Sequence, residues 1–294
     1  MRSSDVLISV CLPVRNGASR LESVVRSVLT QDHENLELVI SDNASVDATE
    51  ELCRDLAAED KRIVYVRQPE NIGLLNNFQA AMRRSRGEFF RWVGDDDWIA
   101  PNCLSRCLEV FGADDRLILV TTGVEFIGND GVARTAEYLR SELASNDPIE
   151  RLNELLRLLN ESYLLIDPLY GLMRRRVVAP IPRRNMLRED QIFSAKLALA
   201  GPWGHVNEVL GRRGWRDEKR TELARRLGVP TWTARAASTL QGLETLRWMS
   251  NAKLDVRQRR QARVAVYQWY VRRQLISMVG RGRRIARLAH FTRS

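Results

Sequence analysis

The chain has 294 residues, 44% hydrophobic and 28% charged, a composition that excludes a disordered or fibrous protein and allows one large domain or one domain with an appendage. No apolar run approaches the roughly 20 residues that cross a bilayer, and Met1-Arg-Ser-Ser-Asp5 leads into a strand-like run without a signal-peptide core. Four cysteines (Cys11, Cys53, Cys103, Cys107) show no secreted disulfide pattern, so a reducing cytoplasm is expected.

The net charge of +9 is unevenly divided. Residues 1–211 carry 25 Lys/Arg against 32 Asp/Glu, a balance of −7, and residues 212–294 carry 21 against 5, a balance of +16. This shift marks a boundary near residue 213.

Leu7-Ile-Ser-Val-Cys-Leu-Pro13 reads as a buried strand stopped by proline. Arg15-Asn16-Gly17 is a turn, and Leu21, Val24, Val25 and Val28 then recur at helical spacing. Leu36-Glu-Leu-Val-Ile40 is a second strand, after which Asp47 can cap a helix over residues 48–58. Arg62-Ile-Val-Tyr-Val66 is a third strand. Asn71-Ile-Gly73 turns the chain into a helix through about Ser85, and Glu88-Phe-Phe-Arg-Trp-Val93 is a fourth strand. Strands alternating with helices of 10–15 residues predict a mostly parallel, Rossmann-like sheet flanked by helices.

Ligands of such sheets bind at the carboxyl ends of the strands. The polar clusters lie there: Arg15-Asn16, Asp42-Asn43, and Asp95-Asp96-Asp97. Three adjacent carboxylates repel one another, and a hard divalent cation relieves that repulsion. A solvated acidic turn is the alternative.

Four stretches, in order, resemble the family 2 glycosyltransferases of GT-A fold: Ser9-Val-Cys-Leu-Pro-Val-Arg-Asn16, Ile40-Ser-Asp-Asn-Ala-Ser-Val-Asp47, Asn71-Ile-Gly73 and Trp92-Val-Gly-Asp-Asp-Asp-Trp98. The resemblance covers residues 1–125 well and continues more weakly to about 213. It implies a nucleotide-sugar site built from Pro13, Val14, Arg15, Asn16, Asp42, Asn43, Asn71, Gly73, Asn77, Asp95 and Asp96. Where the family usually has Asp, this chain has Asn43, an amide that presents either a donor or an acceptor. A UDP- or dTDP-sugar is the donor the resemblance favours. The same resemblance implies a Mn²⁺ or Mg²⁺ held by Asp96 or Asp97 and acting on the departing diphosphate.

Beyond Pro101, a helix to about Phe111 precedes a strand-like run at 117–124 and the turn Gly128-Asn-Asp-Gly131. Leu152, Leu155, Leu156 and Leu159 predict a helix, and Arg174-Arg-Arg176 reads as a solvated face. Leu187-Arg-Glu-Asp-Gln-Ile-Phe193 places an acidic pair before an apolar helix that ends at Gly201. Acidic residues favour a helix N-terminus through the dipole alone. The family resemblance implies instead that Asp190 is the catalytic base, with Glu189 as its neighbour and second choice. Trp203 to Leu210 reads as a short strand. Relatives place a histidine after the paired arginines that follow; here Gly214 and Trp215 stand there, and His205 lies upstream.

From 217 to 288 the chain reads as helices, with Tyr267, Val271, Leu275 and Met278 at helical spacing. The basic stretch from Arg281 to Phe291 is amphipathic, suited to an anionic membrane surface, to the acidic domain or to a homo-oligomer contact. No nucleic-acid motif is present. The expected organisation is a GT-A domain over 1–213, with a nucleotide-binding half over about 1–100 and an acceptor-side half over about 101–213. An α-helical, Arg-rich region follows over 214–294. The expected activity is metal-dependent, inverting transfer of a sugar from a nucleotide donor to a hydroxyl of a glycan, lipid-linked or small-molecule acceptor. Cell-envelope glycan synthesis is one setting, in the cytoplasm or at the inner face of the membrane. The competing readings are a sugar-nucleotide pyrophosphorylase, which the short Arg15-Asn16-Gly17 turn does not suit, and a non-catalytic basic surface-binding protein.

Overall fold

Strand β1 (Ile8–Val14) is buried at all seven positions. Its side chains divide by parity, as a pleated strand requires: Ile8, Val10, Leu12 and Val14 enter one apolar core, and Cys11 enters another on the opposite face. Such double burial is the mark of a strand covered by helices on both sides. The computed structural model that shows this describes residues 5–162, 166–214 and 218–291, the side chains of residues 280–291 excepted.

Helix α1 (Leu21–Leu29) presents Leu21, Val24, Val25 and Val28 to the first core, the i, i+3, i+4, i+7 stripe of an amphipathic helix. Strand β2 (Leu36–Asp42), helix α2 (Thr49–Glu59), strand β3 (Ile63–Arg67), helix α3 (Leu74–Arg84) and strand β4 (Phe89–Trp92) complete the alternating half. Strands β3, β2, β1 and β4 lie side by side and parallel, in that order. The register sets Val14 opposite Asp42 and Cys11 opposite Trp92. The carboxyl ends of β1, β2 and β4 therefore deliver the three polar clusters to one rim.

After the two-residue strand β5 (Trp98–Ile99) and helix α4 (Cys103–Ala113), the long strand β6 (Leu119–Ile127) leads to β7 (Ala133–Arg134). Cys103 and Cys107 share the buried face of α4, and the four cysteines are free. Helix α5 (Pro148–Glu161) begins at Asp147, whose side chain caps the Ile149 N–H. Strand β8 (Leu172–Arg174) and helix α6 (Arg175–Val178) follow, then helix α7 (Glu189–Ala200) and strand β9 (Trp203–Gly214). Here the sheet becomes mixed: β8 runs antiparallel to β4 and β6, whereas β6 and β9 are parallel. Strand β9 is longer than its apolar run foretold, and β5 pairs with its far end.

Arg174 departs from the solvated face expected of it. It is buried, its guanidinium lies over the rings of Phe89 and Phe111, and it bonds the Leu117 carbonyl and Glu88. The charge is tolerated because ring faces and oxygens replace water. Helix α7 is buried at every position from Ile192 to Leu199, so it lies inside the molecule rather than along its surface. Helices α8 (Arg220–Arg226), α9 (Thr233–Trp248) and α10 (Val256–Phe291) follow. Met249, Leu254, Ala262, Val266 and Trp269 share a core with α5 and α7. The basic stretch from Arg281 lies in α10, with its side chains outside the described residues, as is Trp215 altogether.

Candidate active site

The rim begins with the buried pair Pro13 and Val14 and the exposed Arg15 and Asn16. Asn16 has a left-handed backbone (φ 54°), a region Asn enters more readily than most residues. It donates its N–H to Ser45 Oγ at 2.9 Å and accepts from Val46 N at 3.0 Å. Asp42 is fully buried: one oxygen accepts from Ser45 N at 2.9 Å and the other from the Tyr65 hydroxyl at 2.9 Å. Asn43 donates to Asn71 Oδ1 and accepts from Ile72 N, both at 2.8 Å. Gly73 supplies a positive φ of 85° at the entrance to α3. Asn77 is buried, donating to the Ser41 carbonyl at 2.8 Å and accepting from Ser41 Oγ at 2.7 Å. Asp42, Asn43, Asn71 and Asn77 thus form one hydrogen-bonded frame that fixes the ends of β1 and β2. Asp42 and Asn77 are braces within it, an outcome of full burial that a motif does not disclose.

The three aspartates diverge. Asp95 pairs with Arg20, and its pKa is raised, because burial outweighs that pairing. It also explains Gly17, where a Cβ would fall 2.5 Å from Val14 Cγ2 and 3.0 Å from Asp95 Oδ2. Asp96 is exposed at the turn. Asp97 is only 6% exposed, accepting from Gly94 N at 2.6 Å and from Arg213 Nε at 3.1 Å. Trp92 is buried among Phe78, Phe90 and Phe193 as a packing residue.

Arg213 and Asp167 escaped the sequence reading. Arg213, near the end of β9, pairs with both Asp97 and Asp167 and lies 3.5 Å above the Tyr170 ring. Burial opposes its charge, but Tyr170, Asp167 and Asp97 outweigh burial and hold it charged well above the ordinary range. Burial raises the Asp167 pKa, Arg213 opposes that, and Asp190 and Asp97 add to it. The Asp167-Pro168 pair after an amphipathic helix was the available signal, and it reads equally well as a plain turn.

At the start of α7, Glu189 is held by Arg183, whose Nε lies 2.7 Å from Oε1. Asp190 has no ion pair among the described residues, and it lines a cavity of about 420 Å³. Asp190 is exposed at its surface, yet the protein crowded around its carboxylate and then the neighbouring Glu189 charge raise its pKa. Asp167, Glu189, Asp190 and Arg213 form the polar end of the cavity; Leu155, Leu158, Leu159, Ile166 and Leu227 are among its apolar walls.

Among the described residues no three His, Cys, Asp or Glu side chains converge as a metal cage. A diphosphate-bound Mg²⁺ does not require one, since one or two carboxylates, phosphate oxygens and water suffice. Asp96 at the surface fits that role. Asp97 fits it too, because the Gly94 and Arg213 bonds use one lone pair on each oxygen. His205 stands elsewhere, with Nδ1 2.9 Å from Thr121 Oγ1 and Tyr138 edge-on to its ring; burial lowers its pKa to about 4.

The family model described as glycosyl transferase family 2 matches residues 9–178. Glycosyltransferase GlyA of Streptococcus pneumoniae is 35% identical over 95 residues, 32% of this chain and 14% of that protein. An uncharacterized glycosyltransferase of Rickettsia felis is 31% identical over 148 residues, 50% of this chain and 24% of that protein. The chain spans between 14% and 54% of the length of the first curated relatives it matches. Among solved structures, S. aureus TarS 1–349 in complex with UDP-GlcNAc superposes with a TM-score of 0.63 at 17% identity, covering 90% of this chain and 72% of that one. The mannosyltransferase PcManGT of Pyrobaculum calidifontis, with GDP-Man and Mn²⁺, gives 0.53 at 14% identity over 94% of this chain and 79% of that one. These likenesses establish the GT-A fold.

Proposed function

Because the chain belongs to glycosyl transferase family 2, we propose that it moves a sugar from a nucleoside-diphosphate donor to an acceptor hydroxyl, with inversion at the anomeric carbon. The observation that carries the proposal is the unequal treatment of two adjacent carboxylates. Arg183 neutralises Glu189, while Asp190 faces the cavity unpaired with a raised pKa. A carboxylate in that state is a better proton acceptor than a solvated one. Asp190 takes the proton of the acceptor hydroxyl as the new bond forms, and no protein nucleophile is needed for a single displacement.

The donor lies across the rim made by Pro13, Val14, Arg15, Asn16 and the frame of Asp42, Asn43, Asn71, Gly73 and Asn77, with Asp95 toward the ribose. The nucleotides bound by TarS and PcManGT support a nucleotide-sugar donor, and a UDP- or dTDP-sugar is the reading kept. Asp96 and Asp97 are the residues that would hold Mn²⁺ or Mg²⁺, which would neutralise charge on the departing diphosphate. Arg213 pairs with both Asp97 and Asp167 beside that point. Positioning the two substrates in line accounts for much of the acceleration.

We place the catalytic unit at residues 1–213, where β9 ends, with the helical 214–294 region beside it. No helix among the described residues is long and apolar enough to cross a membrane. Val264, Tyr267, Val271, Leu275 and Met278 are exposed on α10, and residues 256–294 hold 11 arginines and no acidic residue. We assign this face to peripheral contact with an anionic lipid surface. Asp190→Asn tests the central claim: it should keep nucleotide-sugar binding and lose at least a hundredfold in transfer rate, about the share a positioned general base supplies. A variant that transfers at the parent rate removes Asp190 as the base.

A further inference from the structure

Four arginines line the cavity: Arg183, Arg188, Arg213 and Arg226. Three are neutralised, Arg183 by Glu189, Arg213 by Asp97 and Asp167, and Arg226 by Glu218. Arg188 is different. Its Nη1 reaches only the neutral amide oxygens of Gln241 at 3.2 Å and Gln191 at 3.5 Å. Its backbone is left-handed (φ 63°), a conformation that costs a non-glycine residue energy. Arg273 of α10 comes to the same place, anchored by Nη1 to the Leu159 carbonyl at 2.7 Å, and Leu159 lines the cavity. Neither Arg188 nor Arg273 has an ion pair with a described carboxylate.

Like charges brought together at a half-buried place are unfavourable without a counter-charge. Burial, then the charges of Arg273 and Arg220, lower the Arg188 pKa to about 10. Burial and Arg220 likewise lower that of Arg273. Guanidinium forks match phosphate oxygens two at a time. Leu155, Leu158, Leu159, Ile166, Leu223 and Leu227 are apolar lining residues of the cavity, where an alkyl chain gains with every CH₂ it buries. The carboxylate-bearing Asp190 lines the same cavity.

We infer that this cavity is the acceptor subsite and that the acceptor is a phosphate-bearing amphiphile, its phosphate on Arg188 and Arg273 and its apolar part along the leucine wall. This rests on the transferase reading given above and names its substrate class. The hydroxyl to be glycosylated then reaches Asp190 from the phosphate side.

Equilibrium binding to the full chain, without a donor, tests it. Octyl phosphate, octanol and inorganic phosphate are titrated in turn. Octyl phosphate should bind at least about tenfold more tightly than either of the others, a difference of about 1.4 kcal/mol. R188Q/R273Q should lose that advantage while binding octanol as before, and R188K/R273K should fall between. Octanol or inorganic phosphate binding as tightly as octyl phosphate overturns the proposal, and so does a double Gln variant with parental affinity. If the Gln variant does not fold, the three-ligand comparison on the parent chain and the Lys variant decide. Nucleotide-sugar binding and hydrolysis are measured separately, so a failure of the amphiphile site leaves the transferase reading standing, and the reverse holds too.

Discussion

Arg213→Met replaces a cation that pairs with both Asp97 and Asp167 by an apolar chain of similar length. Asp97's side chain is 5% exposed, Asp167's 20% and Arg213's 22%, so solvent can relieve only part of the loss. Removing one partner of a buried pair costs about 3–5 kcal/mol, and the partial exposure argues for the lower end, about 3 kcal/mol. For a chain of this size that lowers Tm by about 6–12 °C. The deficit should depend on pH with a definite sign. Burial already raises Asp167, and Arg213 is what opposes it. Without Arg213 the folded-state pKa rises further above the unfolded one. The penalty is then largest at pH 7 and shrinks as pH falls through the folded value toward about 4, where the carboxyl is protonated in both states. Urea unfolding of the parent, R213M, D167N and R213M/D167N at pH 7 and 5 measures it as a double-mutant cycle. D167N should recover about 1 kcal/mol or more in the R213M background, the size of coupling expected between contacting charges. A deficit below about 1 kcal/mol in R213M, or no recovery on adding D167N, refutes the shared-cation account.

Asp96→Ala with Asp97→Ala should cut metal-stimulated donor hydrolysis by about a hundredfold or more, the scale of a lost transition-state charge contact; parental activity in that variant, or activity indifferent to EDTA, ends the carboxylate-metal assignment. His205, with a folded pKa near 4 below the unfolded value near 6.5, contributes stability that is complete above pH 6.5 and lost as pH falls toward 4. His205→Asn should flatten that part of the pH–stability curve, and an unchanged curve would locate the acid sensitivity elsewhere. The chain should sediment with vesicles containing anionic lipid, less so as salt rises, and Leu275→Glu with Met278→Glu should release it. Equal binding to neutral vesicles removes the electrostatic assignment of α10.

The alternating half was legible because each of its elements carries its own period. Strand β1 is a short apolar run, α1 has a clean stripe, and a turn separates every pair. The mixed part of the sheet was not legible. Strand β8 spans three residues, too few to show alternation, and its Arg174 is made burial-compatible by Phe89 and Phe111, which lie more than 60 residues upstream. Asp42 and Asn77 were found by motif, yet their burial and their bonds to Ser45, Tyr65 and Ser41 depend on the pairing of strands. Arg213 and Asp167 were missed for the same reason. An ion pair between residues 46 positions apart leaves no local pattern.

Charge pairing around the cavity also explains why chemistry and recognition should fall on neighbouring residues. Of the carboxylates that line it, Asp167 has Arg213 and Glu189 has Arg183, which leaves Asp190. Of the arginines that line it, Arg188 is left. These two stand two positions apart and could have cancelled one another. They form no ion pair, because Arg188 is the left-handed N-cap that precedes α7, and each only biases the other's charge without contact. The Arg188 side chain is drawn instead to Gln241 of α9, a partner without charge. The strained turn therefore keeps a base and a cation apart within one short segment, the base for the hydroxyl and the cation for the group beside it.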